Sequence, residues 1–182
     1  MTPRELEEYR ALRDTIRERG TTRVWVVLAG LAAWAALAVA TFALAPFPAA
    51  SVLPLLILAA AFEIVFALHT GVERIGRYLQ VFHEEAPGWE HAAMSYGQHF
   101  PGTAGDPLFA NFFRIAALLN FLPAAFSRPL PVDWAGVGVI HGLFIARAEV
   151  ARRQAARQRA VDLDRFQQLK RDTSDFKAAR VQ

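Results

Sequence analysis

Three ionisable side chains, Glu63, Arg114 and His141, stand inside long apolar runs. Each lies six residues from the polar edge of its run: Glu63 before His69, Arg114 after Leu108, His141 before Arg147. At 1.5 Å per helical residue, all three sit ~9 Å below the same surface. An unpaired charge at that depth in hydrocarbon costs at least ~2.5–3.5 kcal/mol, so each seeks a partner. The expectation is one polar cluster, with Glu63 on Arg114 and His141 able to join. Such a cluster either fixes helix packing or relays a proton, an ion or a polar substrate. The packing reading is favoured. A transport path calls for a broken helix or several polar residues per crossing, and only Asn111 and Asn120 hint at either.

Other chemistry has thinner support. His69 and Glu73 share one helix face, with His83 further along, so imidazole and oxygen ligands exist for a divalent metal. No HExxH occurs, and no paired Glu-x-x-His of the di-iron type. Glu73 also stands four residues before Arg77, the spacing of an ordinary helix ion pair. Gly138 and Gly142 flank His141 as GxxxG. That pattern lets membrane helices approach closely, or makes room for a haem on His141. Packing is the favoured reading, and no cofactor is expected. The chain has no cysteine, which excludes disulfides and thiolate sites. Its serines, Ser51, Ser95, Ser127 and Ser174, lie in no GxSxG, and no phosphate-binding loop is present. No catalytic set is expected.

The elements that must position these residues are apolar helices. Residues 24–45 hold no ionisable side chain; 51–69, 108–126 and 132–147 hold few. Each run approaches the ~20 residues that cross ~30 Å of hydrocarbon. Six arginines precede the first run, Arg74 and Arg77 follow the second, and ten Lys and Arg lie from Arg147 onward. Arg128 alone occupies the turn between the last two runs. The positive-inside rule then predicts four crossings with both termini cytoplasmic. The net charge of +3 fits this placement, and no groove-reading motif points to nucleic acid.

Around the bundle of residues 24–147 the sequence predicts further helices. Thr2, Pro3 and Glu5 form a capping box for an amphipathic helix over 1–20, with Gly20 as its stop. A cytoplasmic helix and loop span 70–107. Val72, Ile75, Leu79 and Phe82 continue a helical stripe, and Ala86-Pro87-Gly88 ends it. Trp89, Tyr96 and Phe100 suggest a short helix near 89–96 whose rings suit the headgroup level. Residues 148–182 form a basic helical tail, either solvated or docked. Ala29 and Ala33 repeat the small-residue device of Gly138 and Gly142, for the bundle or for an oligomer.

The sequence thus predicts an all-α protein: a four-helix transmembrane bundle of a bacterial inner membrane. The expected role is a non-catalytic accessory, scaffold or assembly subunit. Its partners would be membrane lipids and another protein or a second copy. The alternatives are a small transporter or channel using Glu63, Arg114 and His141, and a metal- or haem-binding membrane protein.

Overall fold

The computed structural model of the chain describes residues 1–45, 47–84, 88–100, 106–126 and 130–179. Among them the secondary structure is helical: α1 (Pro3–Leu44), a 3-10 turn (Pro48–Ser51), α2 (Val52–Phe82), α3 (Trp89–His99), α4 (Ala110–Phe126) and α5 (Pro131–Ala179). The Ala86-Pro87 break, residues 101–105 of the long loop, Arg128 and the last three residues lie outside the described set.

The capping box forms. The Thr2 amide donates to the Glu5 carboxylate at 2.6 Å, and the Glu5 amide to the Thr2 hydroxyl at 3.3 Å. Gly20 does not stop the helix, which runs unbroken to Leu44. One glycine costs a helix about 1 kcal/mol, and no proline stands beside it to enforce an end. The same economy carries α5 through Gly136, Gly138 and Gly142.

Among the described residues, three helices are long and apolar enough to cross a membrane: α1, α2 with its preceding turn, and α5. They cover the expected runs 51–69 and 132–147 and the run 24–45 up to Leu44. The run 108–126 is helical only from Ala110, as the 17 residues of α4. Those rise ~26 Å, a little under a full crossing. The Asp106 carboxylate caps the start of α4, accepting the amides of Leu108 and Asn111, each at 3.2 Å.

The chain divides into two compact units. One comprises residues 21–68 and 106–153. Its core is Leu55, Leu58, Phe62, Val65, Phe113, Ala117 and Ala148, all buried. The Phe62 ring meets Phe113 and Phe144 edge-on, at 5.3 and 6.1 Å. Here α1 touches α2 through Gly30: a Cβ added there would lie 2.5 Å from the Ala61 Cβ. Neither backbone can yield without parting the helices. Gly30→Ala is therefore expected to cost about 1–3 kcal/mol by overpacking. Adding Ala61→Gly should restore most of it, as thermal unfolding in a mild detergent would report.

The other unit comprises residues 1–20, 69–105 and 154–182. Tyr78 and Phe82 of α2 pack against Phe166 of α5 at 5.7 and 6.3 Å, and Tyr9 of α1 meets His83 at 6.2 Å. Burial, with a hydrogen bond to the Glu8 carboxylate, pushes the Tyr78 phenol above its ordinary range. Between Arg159 and Lys170 the basic tail is docked on α2. Arg159 pairs with Glu73 at 2.8 Å, Arg74 with Asp162 at 3.5 Å, and the Lys170 ammonium donates to the Val81 carbonyl.

Candidate functional site

Glu63, Arg114 and His141 have partners other than one another. Glu63 pairs with Arg147 at 2.8 Å, and the Arg147 guanidinium also lies 5.0 Å from the Phe66 ring centroid. Arg114 pairs with Glu149 and donates to Asn111 at 3.3 Å. Among the described residues, no ion pair joins Glu63 to Arg114. The reason is azimuth. Equal depth along two helices says nothing about which way their side chains point, and both residues turn toward α5. Arg147 and Glu149 lie where the apolar part of α5 gives way to its charged tail. The two charges are therefore drawn to the start of that charged tail.

His141 belongs to a different arrangement, whose centre is Asn120. The Asn120 amide donates to the Ser51 carbonyl at 2.7 Å and to His141 Nε2 at 3.0 Å. Its oxygen accepts the Trp34 indole N–H at 3.2 Å. His141 Nδ1 lies 2.9 Å from the Val137 carbonyl, which can only accept, so Nδ1 carries the proton and Nε2 is the acceptor. One amide thus ties α1, the 3-10 turn, α4 and α5, and its donors and acceptor are all used. Asn120 and His141 are buried. Beside this hub opens an apolar cavity of about 610 Å³, edged by Ala38, Val39, Phe42, Phe47 and Pro123. The four polar side chains on its wall, Trp34, Thr41, Ser51 and Asn120, are all hydrogen-bonded within the protein. The cavity therefore offers mainly hydrocarbon contact.

The second charged centre lies in the other unit. Arg13 donates to Glu84 and to Glu90, both at 2.6 Å. Glu90 is buried and also pairs with buried Arg77 at 3.3 Å, while Arg77 donates to Gln80 at 2.8 Å. Glu84 in turn accepts the Glu90 backbone amide at 2.8 Å, capping α3 where Gly88 has no side chain to do so. Two guanidiniums and two carboxylates balance, and α3 is held against α1 and α2. Gly76 makes room: a Cβ there would lie 2.9 Å from the Glu90 carboxylate.

The weaker metal candidates are His69, Glu73 and His83, all in the second half of α2 or just beyond it. Glu73 bonds Arg159 rather than its helix neighbour Arg77, which goes to Glu90. A close tertiary pair outweighs a surface helix pair worth ~0.3–0.5 kcal/mol. His69 is buried, and His83 stands between the rings of Tyr9 and Tyr78. Among the described residues, no three His, Asp or Glu side chains are placed to share a metal ion. Of the small-residue positions, a Cβ added at Gly142 would meet no described atom within 4 Å, and one at Gly138 only the Phe121 ring at 4.0 Å. Ala29 and Ala33 are exposed. The close approach lies one residue away from Ala29, at Gly30.

Compared with protein-family profiles, with curated proteins and with solved structures, the chain matches none.

Proposed function

We propose that this chain is a non-catalytic integral membrane protein: an accessory, scaffold or assembly subunit of a larger membrane complex. In this reading α1, α2, α4 and α5 make four crossings of a bacterial-type inner membrane, with both termini cytoplasmic. One observation carries the proposal. The apolar stretch of α1 is only 6% buried within the chain. Its one buried residue is Val27, while Trp25, Leu28, Val39 and Phe42 lie exposed. A helix that adds so little to its own core is there to meet lipid or another chain.

The charge arrangement supports an accessory role over transport. Glu63 and Arg114 are each closed in a pair with α5, and the Asn120 hub has no spare donor. A relay needs groups that face one another along a path, and these face different neighbours. The outward Ala29, Ala33 and Gly142 leave small-residue surface open to a second copy or to a foreign helix.

Native mass measurement after gentle solubilisation tests this. The expected particle holds more than one 20.2 kDa chain, or this chain with a partner at fixed stoichiometry. A lone 20.2 kDa monomer, recovered folded under every mild detergent, would count against it.

A further inference from the structure

The cavity beside the Asn120 hub lies wholly within the unit of residues 21–68 and 106–153, between α1, the 3-10 turn and the last turns of α4. The polar groups of its wall are of one kind. Its side-chain donors are spent: the Trp34 N–H on Asn120, and the Asn120 amide on the Ser51 carbonyl and His141. The Thr41 hydroxyl goes to the Leu37 and Ala38 carbonyls, and the Ser51 hydroxyl to that of Pro48. What remains is acceptor, the lone pairs of the two hydroxyl oxygens. The backbone adds a stronger one. Pro123 stands inside α4 and has no N–H to give the Leu119 carbonyl, four residues before it. Its ring also pushes that carbonyl outward, on the side of the helix where Pro123 itself stands. Leu119 and Pro123 both line the cavity. In an apolar layer no water answers such a carbonyl, and leaving it unanswered costs free energy. Serine and threonine hydroxyls are the usual substitutes, and here Thr41 and Ser51 are committed elsewhere.

We propose that the cavity binds a neutral lipid alcohol: one hydrocarbon chain ending in a hydroxyl that donates to the Leu119 carbonyl. Complementarity selects this head group. A carboxylate would bring acceptors to acceptors, an ether or ester would leave the carbonyl unanswered, and an ammonium would cost too much to desolvate. Size agrees. A cavity of about 150 Å³ admits the six carbons of benzene, so about 610 Å³ has room for one chain of about 16 carbons. The edge agrees as well, since Val39, Phe42 and Phe47 are exposed there and give the chain an apolar way in. The site rests on the membrane-spanning reading for that access, because its ligand arrives through lipid.

Photolabelling tests the site in the full chain, held in phosphatidylcholine nanodiscs with a diazirine-bearing hexadecanol. Peptide mass mapping locates the label, and Val139 and Leu143, exposed on α5, report ordinary contact with lipid. Label should concentrate on residues 38–48 and 119–123. Unlabelled 1-hexadecanol should displace it at about fivefold lower concentration than hexadecyl methyl ether, the gain of one hydrogen bond. Pro123→Ala returns an N–H to the Leu119 carbonyl and suits a helix, so alcohol and ether should then compete within about twofold. Ala38→Trp fills the cavity and should remove label there while Val139 and Leu143 keep theirs. Label spread evenly over cavity and α5, or confined to α5, overturns the site. Equal displacement by alcohol and ether in the wild type, or a preference that survives Pro123→Ala, overturns the role of the carbonyl. If Val139 and Leu143 take no label either, the membrane-spanning reading has failed and the site with it.

Discussion

Glu90→Gln is expected to release helix α3 from its seat. The wild-type carboxylate neutralises Arg77, which is buried, and shares Arg13 with Glu84. The amide keeps the shape and removes the charge. Arg77 is then left as a buried cation without its counter-ion, its Nε already lacking a partner among the described residues. Breaking a buried pair from one side costs about 3–5 kcal/mol, since the surviving charge stays desolvated. Arg13 contributes less, because its side chain is a quarter exposed and water screens it. Hydrogen exchange reads the result locally: amides of residues 88–100 should lose protection, while those of α4 keep theirs. Adding Arg77→Met should recover part of the loss by removing the orphaned charge. Unchanged protection in Glu90→Gln would mean that packing alone holds α3.

Asn120→Leu should give the second large effect. Leucine fills nearly the same volume but cannot answer the Trp34 N–H, the Ser51 carbonyl or His141 Nε2. Leaving a buried polar group unmade costs ~1–3 kcal/mol, whereas hydrogen bonds between membrane helices average ~0.6 kcal/mol. Three bonds lost together then cost about 2–4 kcal/mol, nearer the upper end if no water reaches the hub. The expected outcome is a lower thermal midpoint in detergent. His141→Phe should do less harm, because Asn120 keeps its bonds to Trp34 and Ser51. A midpoint for Asn120→Leu equal to wild type would show that the hub is ornamental to stability.

Much of the helical plan is legible from the residues. The capping box at Thr2 and Glu5, the stripe through Leu79 and Phe82, and the alanine- and arginine-rich tail all announce helix. Helix ends are less legible. Gly20 has the local character of a stop, yet a lone glycine is outvoted by the helix-favouring residues on both sides. Pairing is hardest to read. Depth follows from counting residues, so Glu63, Arg114 and His141 look like neighbours. Direction around the helix follows from tertiary packing, and that sends them to Arg147, Glu149 and Asn120. Arg77 is a similar case, since its local partner Glu73 is four residues away and its actual one, Glu90, sits on another helix. Asn120 did leave a signal: an amide buried in an apolar run must bond something. Nothing local says that Trp34 and His141 are what it finds. Gly30 was hidden among alanines, where the close contact falls one residue off the small-residue stripe.

The central claim is that the chain is threaded through lipid with its two ends on one side. Impermeant maleimide labelling of single cysteines in sealed, right-side-out membrane vesicles tests it most directly. Glu7→Cys and Asp172→Cys should stay unlabelled until the vesicles are permeabilised, whereas Phe47→Cys, exposed beside the turn between α1 and α2, should label at once. Labelling of one end but not the other, or of all three positions in protein washed free of membrane, would contradict the account.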